Sequence, residues 1–171
     1  MGASRVNRYS RVFWVLIAVA VFVGDQVTKA VVEGLIAEHT TLPLLPHFLN
    51  LVHAKNAGAA FGLFSDSPAP WKTVLLIVVS SLLLAMVFAV MWRNPQFRWE
   101  TGVGLALIFG GALSNLFDRI RLGRVVDFLD VYCRSYHWPA FNLADSAIVV
   151  GAGLLVFQLL FNEGGFPLSR E

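Results

Sequence analysis

WKTVLLIVVSSLLLAMVFAVMW, residues 71–92, is a long hydrophobic run with tryptophan at both ends and one charged residue, Lys72. A helix that crosses the hydrocarbon core of a bilayer needs about 20 predominantly apolar residues. Indole rings prefer the boundary between hydrocarbon and headgroups, which is where Trp71 and Trp92 would then lie. Residues 72–92 are therefore predicted to span a membrane as a helix.

Three further segments have the same character, and they predict spans at about residues 12–32, 100–118 and 142–161. Each has a tryptophan at or near its first residue, as expected at an interface. The composition agrees, because 57% of the 171 residues are hydrophobic and only 14% are charged, against about a quarter charged in a soluble domain. The sequence therefore predicts an all-α polytopic membrane protein with four transmembrane helices.

The first 23 residues, basic and then apolar, resemble a cleavable signal peptide. GDQVTK, residues 24–29, follows them without a small-x-small cleavage site, and apolar residues resume at once. We therefore expect this segment to remain as the first span. The net charge of +2 and the scattered basic residues indicate no nucleic-acid partner, and the single cysteine, Cys133, excludes an intrachain disulfide.

Two connections between the predicted spans are too long for simple hairpins. Residues 34–70 contain the strand-like HFLNLVHA and then KNAGAAFGLF, whose small and apolar residues suggest an interfacial helix. Residues 119–141 contain the strand-like VVDFLDVY. We expect the two connections to form a small β-platform on the membrane side opposite the termini, within one domain covering residues 1–171.

An even number of spans places both termini on one side of the membrane. Arginines are enriched in the loops on the cytoplasmic side of a membrane protein, but here the two sides carry almost equal numbers of arginines. Five flank the terminal side and four follow the third span: Arg5, Arg8, Arg11, Arg93 and Arg98 against Arg119, Arg121, Arg124 and Arg134. The expected topology is N-in and C-in.

Ionisable and amide side chains at membrane depth are costly, so each is a candidate functional group or half of a pair. Asp25 and Lys29 are four residues apart with the acid first, which is the favourable order for a helical ion pair. A structural pair and a contact with substrate both explain them. Asn56 adjoins small residues that let a substrate backbone approach, although a loop turn explains the same sequence.

GGALSNLFDR, residues 110–119, ends the third predicted span. Its small residues suit close packing against another helix. Asn115 and Asp118 share a helical face, and Arg119 follows directly. These three are candidates for binding or ordering a substrate, and an Asp–Arg pair that caps the span is the alternative.

Two aspartates stand beside apolar residues near the start of the fourth span. Asp127 lies in VVDF, where poor solvation favours its protonated form, and Asp145 lies in FNLAD with Asn142 three residues before it. Asp145 alone is explained by a favourable first-turn position in a helix. If the two carboxylates meet in a pocket of low dielectric they share a proton, so that one activates water while the other protonates the leaving group.

Other catalytic classes have little support. The sequence contains neither HExxH for a zinc peptidase nor GxSxG for a serine nucleophile. Cys133 and His137 are four residues apart, but nothing recognisable lowers the pKa of the thiol. We therefore expect a pair of acids that uses no metal and no cofactor. A small ion-coupled transporter, with acids forming a proton or ion relay, is the alternative from another class.

Five ordered motifs, DQVTK, NAGAAF, GGALSNLFDR, VVDF and FNLADSA, closely resemble the bacterial lipoprotein signal peptidases, or signal peptidase II. The resemblance covers almost the whole chain, from Asp25 to about Gly151. It implies a membrane aspartyl endopeptidase that cuts prolipoproteins before a cysteine carrying diacylglycerol. Ser114, where glycine is expected, and Lys55, where an aromatic or neutral polar residue is expected, depart from the family pattern.

The resemblance also implies roles for particular residues. Asp127 and Asp145 match the catalytic pair, with Asp118 as a rival candidate. Four positions match residues that bind substrate or order the site: Asn56, Asn115, Arg119 and Asn142. Three match residues that support the site: Asp25, Lys29 and Asp118. The family fold adds an extracytoplasmic β-cradle and an interfacial helix. The implied protein is a monomer of the bacterial inner (cytoplasmic) membrane that contacts membrane lipid, with its site toward the periplasmic or outer face.

Overall fold

A computed structural model describes residues 11–58, 70–93 and 98–161. It contains four helices that are long and apolar enough to cross a membrane, which confirms the four predicted spans. They are α1 (Arg11–Leu35), α2 (Pro70–Arg93), α3 (Trp99–Leu122) and α4 (Leu143–Phe161).

Helix α3 extends beyond the span predicted at about residues 100–118. Helix α3 continues through the charged segment to Leu122 and ends at Gly123, whose φ of 70° places it in the left-handed region. The N–H of Gly123 donates to the carbonyl of Arg119, which satisfies one of the last helical acceptors. Charge at a helix end does not terminate the helix, so Asp118 and Arg119 remain on it.

Helix α3 is the central element and packs against each of the other three helices. Two adjacent glycines allow close approach to two of these helices, α1 and α4. A Cβ atom on Gly110 would lie 2.5 Å from the carbonyl oxygen of Ala18 in α1, and one on Gly111 would lie 2.4 Å from that of Ala144 in α4. The expectation of close packing from GGALS is therefore confirmed, with the two glycines serving two different helices.

A four-stranded antiparallel sheet lies at one end of the helices, in the order β1-β2-β3-β4. It connects α1 with α2 and α3 with α4, and it confirms the strands expected in both long connections. The strands are β1 (Thr41–Leu45), β2 (Leu49–Asn56), β3 (Val125–Cys133) and β4 (Tyr136–His137). The interfacial helix expected around KNAGAAFGLF is not tested, because its residues 59–64 lie outside the described residues and Lys55 and Asn56 end β2.

The sheet is attached to the helices by a small hydrophobic cluster. Val32 and Ile36, at the end of α1, pack against Phe128 of β3, and all three are buried. This contact holds β3 over the end of the helical bundle. The residue before Phe128, Asp127, is thereby placed where helices and sheet meet.

Candidate active site

Asp127 is buried on β3, with 2% of its surface exposed. Antiparallel pairing places it opposite Ala54 of β2, two residues from the end of that strand. One carboxylate oxygen accepts a hydrogen bond from Asn142 Nδ2 at 2.8 Å, and the other accepts from Asn56 Nδ2 at 3.0 Å. Both oxygens are therefore held by amide donors from separate parts of the chain.

Asp145 lies in the first turn of α4 and forms a reciprocal cap with Asn142. The N–H of Asp145 donates to Asn142 Oδ1 at 2.8 Å, and the N–H of Asn142 donates to Asp145 Oδ2 at 3.3 Å. The first-turn role that explains Asp145 alone is thus present in the structure. Its other oxygen, Oδ1, accepts from Asn115 Nδ2 at 2.7 Å and so is connected to α3.

Asn142 links the two aspartates and is completely buried. Its Nδ2 donates to Asp127, while its backbone N–H and Oδ1 engage Asp145. The same Nδ2 lies 3.2 Å from Asn115 Oδ1. A side chain so fully hydrogen-bonded within the protein orders the carboxylates, whereas the sequence left binding and ordering both open.

Asp127 and Asp145 line one cavity of about 770 Å³ between α2, α3 and α4. Asn56, Asn115 and Arg119 contribute to the same wall. Most of the remaining lining is apolar and includes Leu83, Leu84 and Val87 of α2 and Ile148 and Val149 of α4. The structure therefore brings five of the six candidate catalytic and binding residues to one cavity, with Asn142 directly behind them.

Burial first, and then repulsion from the Asp145 carboxylate, raise the pKa of Asp127, and the net result is a pKa of about 7. The hydrogen bonds from Asn56 and Asn142 oppose this shift, as does the positive charge of Lys29. Desolvation dominates, so Asp127 is able to hold a proton at neutral pH. This agrees with the poor solvation expected from the VVDF sequence.

Arg119 lines the cavity and is fixed by two backbone carbonyls. Its Nη1 donates to the carbonyl of Asn115 and its Nη2 to the carbonyl of Gly58, each at 3.3 Å. A guanidinium carries five N–H donors, so groups remain that can meet a substrate carbonyl. The side chain of Asn56 also shapes this loop, because its Oδ1 accepts from the N–H of Gly58 at 2.9 Å.

The three supporting residues form a buried ionic cluster behind the cavity. Lys29 Nζ lies 2.6 Å from Asp25 Oδ2 and 2.7 Å from Asp118 Oδ2, and all three side chains are at most 4% exposed. Lys29 also donates to Asn115 Oδ1 at 3.0 Å. Since Asn115 Nδ2 donates to Asp145, the cluster fixes the amide that aligns one of the two candidate acids.

Asp118, the rival for a catalytic role, is occupied by this cluster. Its Oδ1 accepts from Gln26 Nε2 at 2.8 Å, and it is not among the residues that line the cavity. The Asp–Arg cap considered for the end of α3 does not form between Asp118 and Arg119, because Lys29 and Gln26 take the carboxylate and Arg119 turns to carbonyls.

Gln26 and Ser114 belong to the same network; the sequence predicted no role for Gln26 and only helix packing for Ser114. Ser114 donates to Asp25 Oδ2 at 2.7 Å and accepts from Gln26 Nε2 at 2.9 Å. The departure from glycine at this position therefore adds a satisfied hydroxyl. The polarity of Gln26 at membrane depth was the signal that could have identified it. Lys55, the other departure, pairs with Glu38 at the edge of the sheet.

Residues 138–141 line the cavity and were not assigned from the sequence. They follow β4, and the N–H and carbonyl of Phe141 bond to Leu129 of β3. A tryptophan and a proline directly before the fourth span are the only sequence signal for this wall. Within the described ranges 11–58, 70–93 and 98–161, no group of three His, Cys, Asp or Glu side chains is arranged to hold a metal ion.

Comparison with known proteins places this geometry in a family. The family model described as signal peptidase (SPase) II matches residues 17–161. The lipoprotein signal peptidase of Desulforapulum autotrophicum is 43% identical over 148 residues, with 86% of this chain and 91% of the relative covered. That of Solibacter usitatus is 42% identical over 144 residues, with coverages of 84% and 88%.

A solved structure agrees with the sequence matches. It is described as a bacterial membrane enzyme at 2.3 Å resolution, is 31% identical, and superposes with a TM-score of 0.80 over 93% of this chain and 94% of its own. These matches give the transporter alternative no support. Family model, relatives and fold agree over nearly the full length, and the chain belongs to the signal peptidase II family.

Proposed function

We propose that this chain removes the signal peptides of lipoprotein precursors, with Asp127 and Asp145 as its catalytic pair. The observation that carries the proposal is that these two acids line one cavity and are linked by a single buried amide, Asn142. Membership of the signal peptidase II family, an aspartic-type peptidase family, supports the same reaction. The enzyme is a multi-pass membrane protein.

The two carboxylates carry one proton between them at neutral pH, because burial and mutual repulsion make the doubly ionised pair unfavourable. The ionised member takes a proton from water as the water oxygen attacks the scissile carbonyl carbon. The neutral member donates its proton to that carbonyl oxygen. When the C–N bond of the tetrahedral intermediate breaks, the nitrogen leaves as an amine after accepting a proton from the pair.

The remaining cavity residues hold the substrate in place for this attack. Arg119 has N–H groups that can bind a substrate carbonyl, and Asn56 lies beside Asp127 at the edge of β2. The apolar sides contributed by α2 and α4 suit the signal helix and the lipid chains. Asn115 and Asn142 keep the acids aligned, and Asp25, Lys29 and Asp118 support Asn115 from behind.

We also propose a cleavage position, a role for the sheet, an oligomeric state and a membrane orientation. The scissile bond precedes a cysteine that carries diacylglycerol, and the sheet acts as an extracytoplasmic cradle with an interfacial helix beside it. The protein works as a monomer and a single domain, residues 1–171, in the bacterial inner membrane. Its termini face the cytoplasm, and the site faces the periplasm or the exterior. The small excess of arginines on the side of the termini, five against four, supports this orientation.

The purified chain is expected to release the signal peptide from a diacylglyceryl-modified precursor at least about 100-fold faster than from the same precursor with an unmodified cysteine. Burial of acyl chains beside the cleavage site supplies binding energy that the unmodified peptide lacks. Gel mobility and mass spectrometry of both fragments measure the rate and the cleavage position. Equal rates for the two precursors, or cleavage elsewhere, would contradict the proposed specificity.

The cleavage rate is expected to fall as the pH rises above about 7. Asp127 loses its proton as the pH passes its raised pKa of about 7. Above that pH both acids are charged, and the pair lacks its proton donor. The value of kcat/KM should then decrease roughly tenfold per pH unit.

Infrared titration of the carboxyl stretch identifies the group. The signal that titrates near pH 7 should vanish in Asp127→Asn. In Asp145→Asn it should shift to lower pH, because repulsion from Asp145 is removed. A rate that stays constant from pH 6 to 9 would rule out this assignment.

A further inference from the structure

A second cavity shares no lining residue with the active-site cavity. Its volume is about 210 Å³, and α1 and α2 form its walls above a floor of Phe109 and Leu113 of α3. Ile108 and Ala112 of the same helix line the active-site cavity instead. The two cavities are therefore separated by α3. We call this second cavity the α1–α2 groove.

The groove extends along α1 from Arg11 to Phe22 and is apolar below its mouth. Eleven helical residues correspond to about 16 Å, which is close to half of a hydrocarbon core about 30 Å thick. Its length therefore matches the acyl region of one leaflet. Val19, one of its lining residues, is 49% exposed, so the groove opens toward the surrounding bilayer.

Arg11 lines the mouth of the groove, and the helix ends next to it also carry basic residues. Arg11 begins α1, Arg93 ends α2 and Arg98 precedes α3, and these three helix ends lie at the same end of the bundle. Among the described residues at this end, Glu100 offsets one charge through its 3.6 Å contact with Arg98. A net positive mouth above an apolar groove complements a lipid with an anionic headgroup.

Arg11 is positioned to bind a phosphate at this mouth. Its Nη2 donates to the carbonyl of Trp92 at 3.2 Å, and its guanidinium lies over the Trp92 ring, 4.9 Å from the centroid. These contacts fix the direction of the side chain, and the hydrogen bond uses one of its five N–H donors. Planar N–H donors held in one direction suit bidentate recognition of phosphate oxygens.

We propose that the α1–α2 groove binds one anionic phospholipid, with an acyl chain between α1 and α2 and the headgroup phosphate on Arg11. The lipid fills the gap between two helices that both pack on α3, and it joins them at the end of the bundle far from the sheet. The proposal does not depend on Asp127 or Asp145, because no residue lines both the groove and the catalytic cavity.

Native mass spectrometry of the full-length protein tests the proposal. The protein is released from detergent that contains phosphatidylglycerol or phosphatidylcholine with acyl chains of equal length. We expect one retained phosphatidylglycerol with at least about tenfold preference over phosphatidylcholine, as a charge-assisted phosphate contact would give. Arg11→Gln should remove the preference, and Arg11→Lys should retain most of it. Arg121→Gln, an equal loss of charge at the other end of α3, should leave it unchanged.

A matched pair of substitutions tests the acyl chain. Val19→Trp should fill the groove and abolish lipid retention, while Val23→Trp, one turn along α1 at the same 49% exposure but outside the groove, should not. Both variants should cleave precursor at the wild-type rate, which separates this result from the proposed function. Equal retention of both lipids, or retention unaffected by Val19→Trp, would overturn the proposal. A dimer of the wild-type chain that Val19→Trp dissociates would also overturn it, because a second copy of the chain would then occupy the groove.

Discussion

Asp127→Asn and Asp145→Asn are each expected to reduce kcat/KM for a lipidated precursor by roughly 10³-fold to 10⁴-fold while the protein remains folded. Asparagine keeps the size of the side chain, so the amides of Asn56, Asn115 and Asn142 still have a neighbour of the right shape. It cannot accept the proton from water or hold the shared proton. The rate of signal-peptide release, measured beside the thermal unfolding midpoint in the same detergent, distinguishes chemistry from folding.

Asp130→Asn is the matched control for these variants. Asp130 lies on the same strand as Asp127 and is also buried, but its carboxylate bonds Asn50 and His137 of the sheet. We expect its rate to stay within about threefold of wild type, since the substitution leaves the acid pair intact. Wild-type activity in Asp127→Asn, or an equal loss in Asp130→Asn, would show that the proposed pair does not perform the chemistry.

Lys29→Met is expected to destabilise the protein by about 3–5 kcal/mol, because it leaves the carboxylates of Asp25 and Asp118 buried without their cation. Methionine fills similar space, so the loss is electrostatic and not a cavity effect. The substitution also removes the donor to Asn115 Oδ1, which frees the amide that aligns Asp145. Equilibrium unfolding in detergent and the cleavage rate should both decline.

Two controls keep this prediction specific. Adding Asp25→Asn and Asp118→Asn to Lys29→Met removes the uncompensated charge and should restore much of the lost stability. Lys55→Met breaks the partly exposed pair with Glu38 at the sheet edge and should leave the unfolding midpoint nearly unchanged. A triple variant as unstable as Lys29→Met would show that packing around Lys29, and not its charge, carries the effect.

The helical part of this fold could be predicted because each span forms its backbone hydrogen bonds within itself and consists of a long apolar segment. The predicted third span stops at residue 118, four residues before the end of α3. Hydropathy falls at Asp118, but the helix continues because the ionic cluster, and not the bilayer, solvates that residue. The hydropathy of a short segment does not include tertiary contacts, so it cannot predict a helix boundary that depends on them.

The residues of the candidate site could be named from the sequence, but the hydrogen bonds between them could not. The sequence indicated a first-turn position for Asp145, and its reciprocal cap with Asn142 follows from local geometry alone. The bond from Asn142 to Asp127 crosses from α4 to β3 and depends on the register of the sheet. The hydrogen bonds of Gln26 and Ser114 were missed for the same reason, since their partners lie on different helices.

One contact bears on how the protein is made. The N–H of Ala144, at the start of the last helix, donates to Asp25 Oδ1 of the first helix at 2.9 Å, although the two residues are 119 positions apart in the sequence. The ribosome therefore delivers the acceptor early and the donor late. Asp145 is the next residue, so the same docking event that satisfies this N–H also brings the second acid to the first. A partly synthesised chain in the membrane lacks the proposed pair, and we expect proteolytic activity only after the fourth helix has joined the bundle.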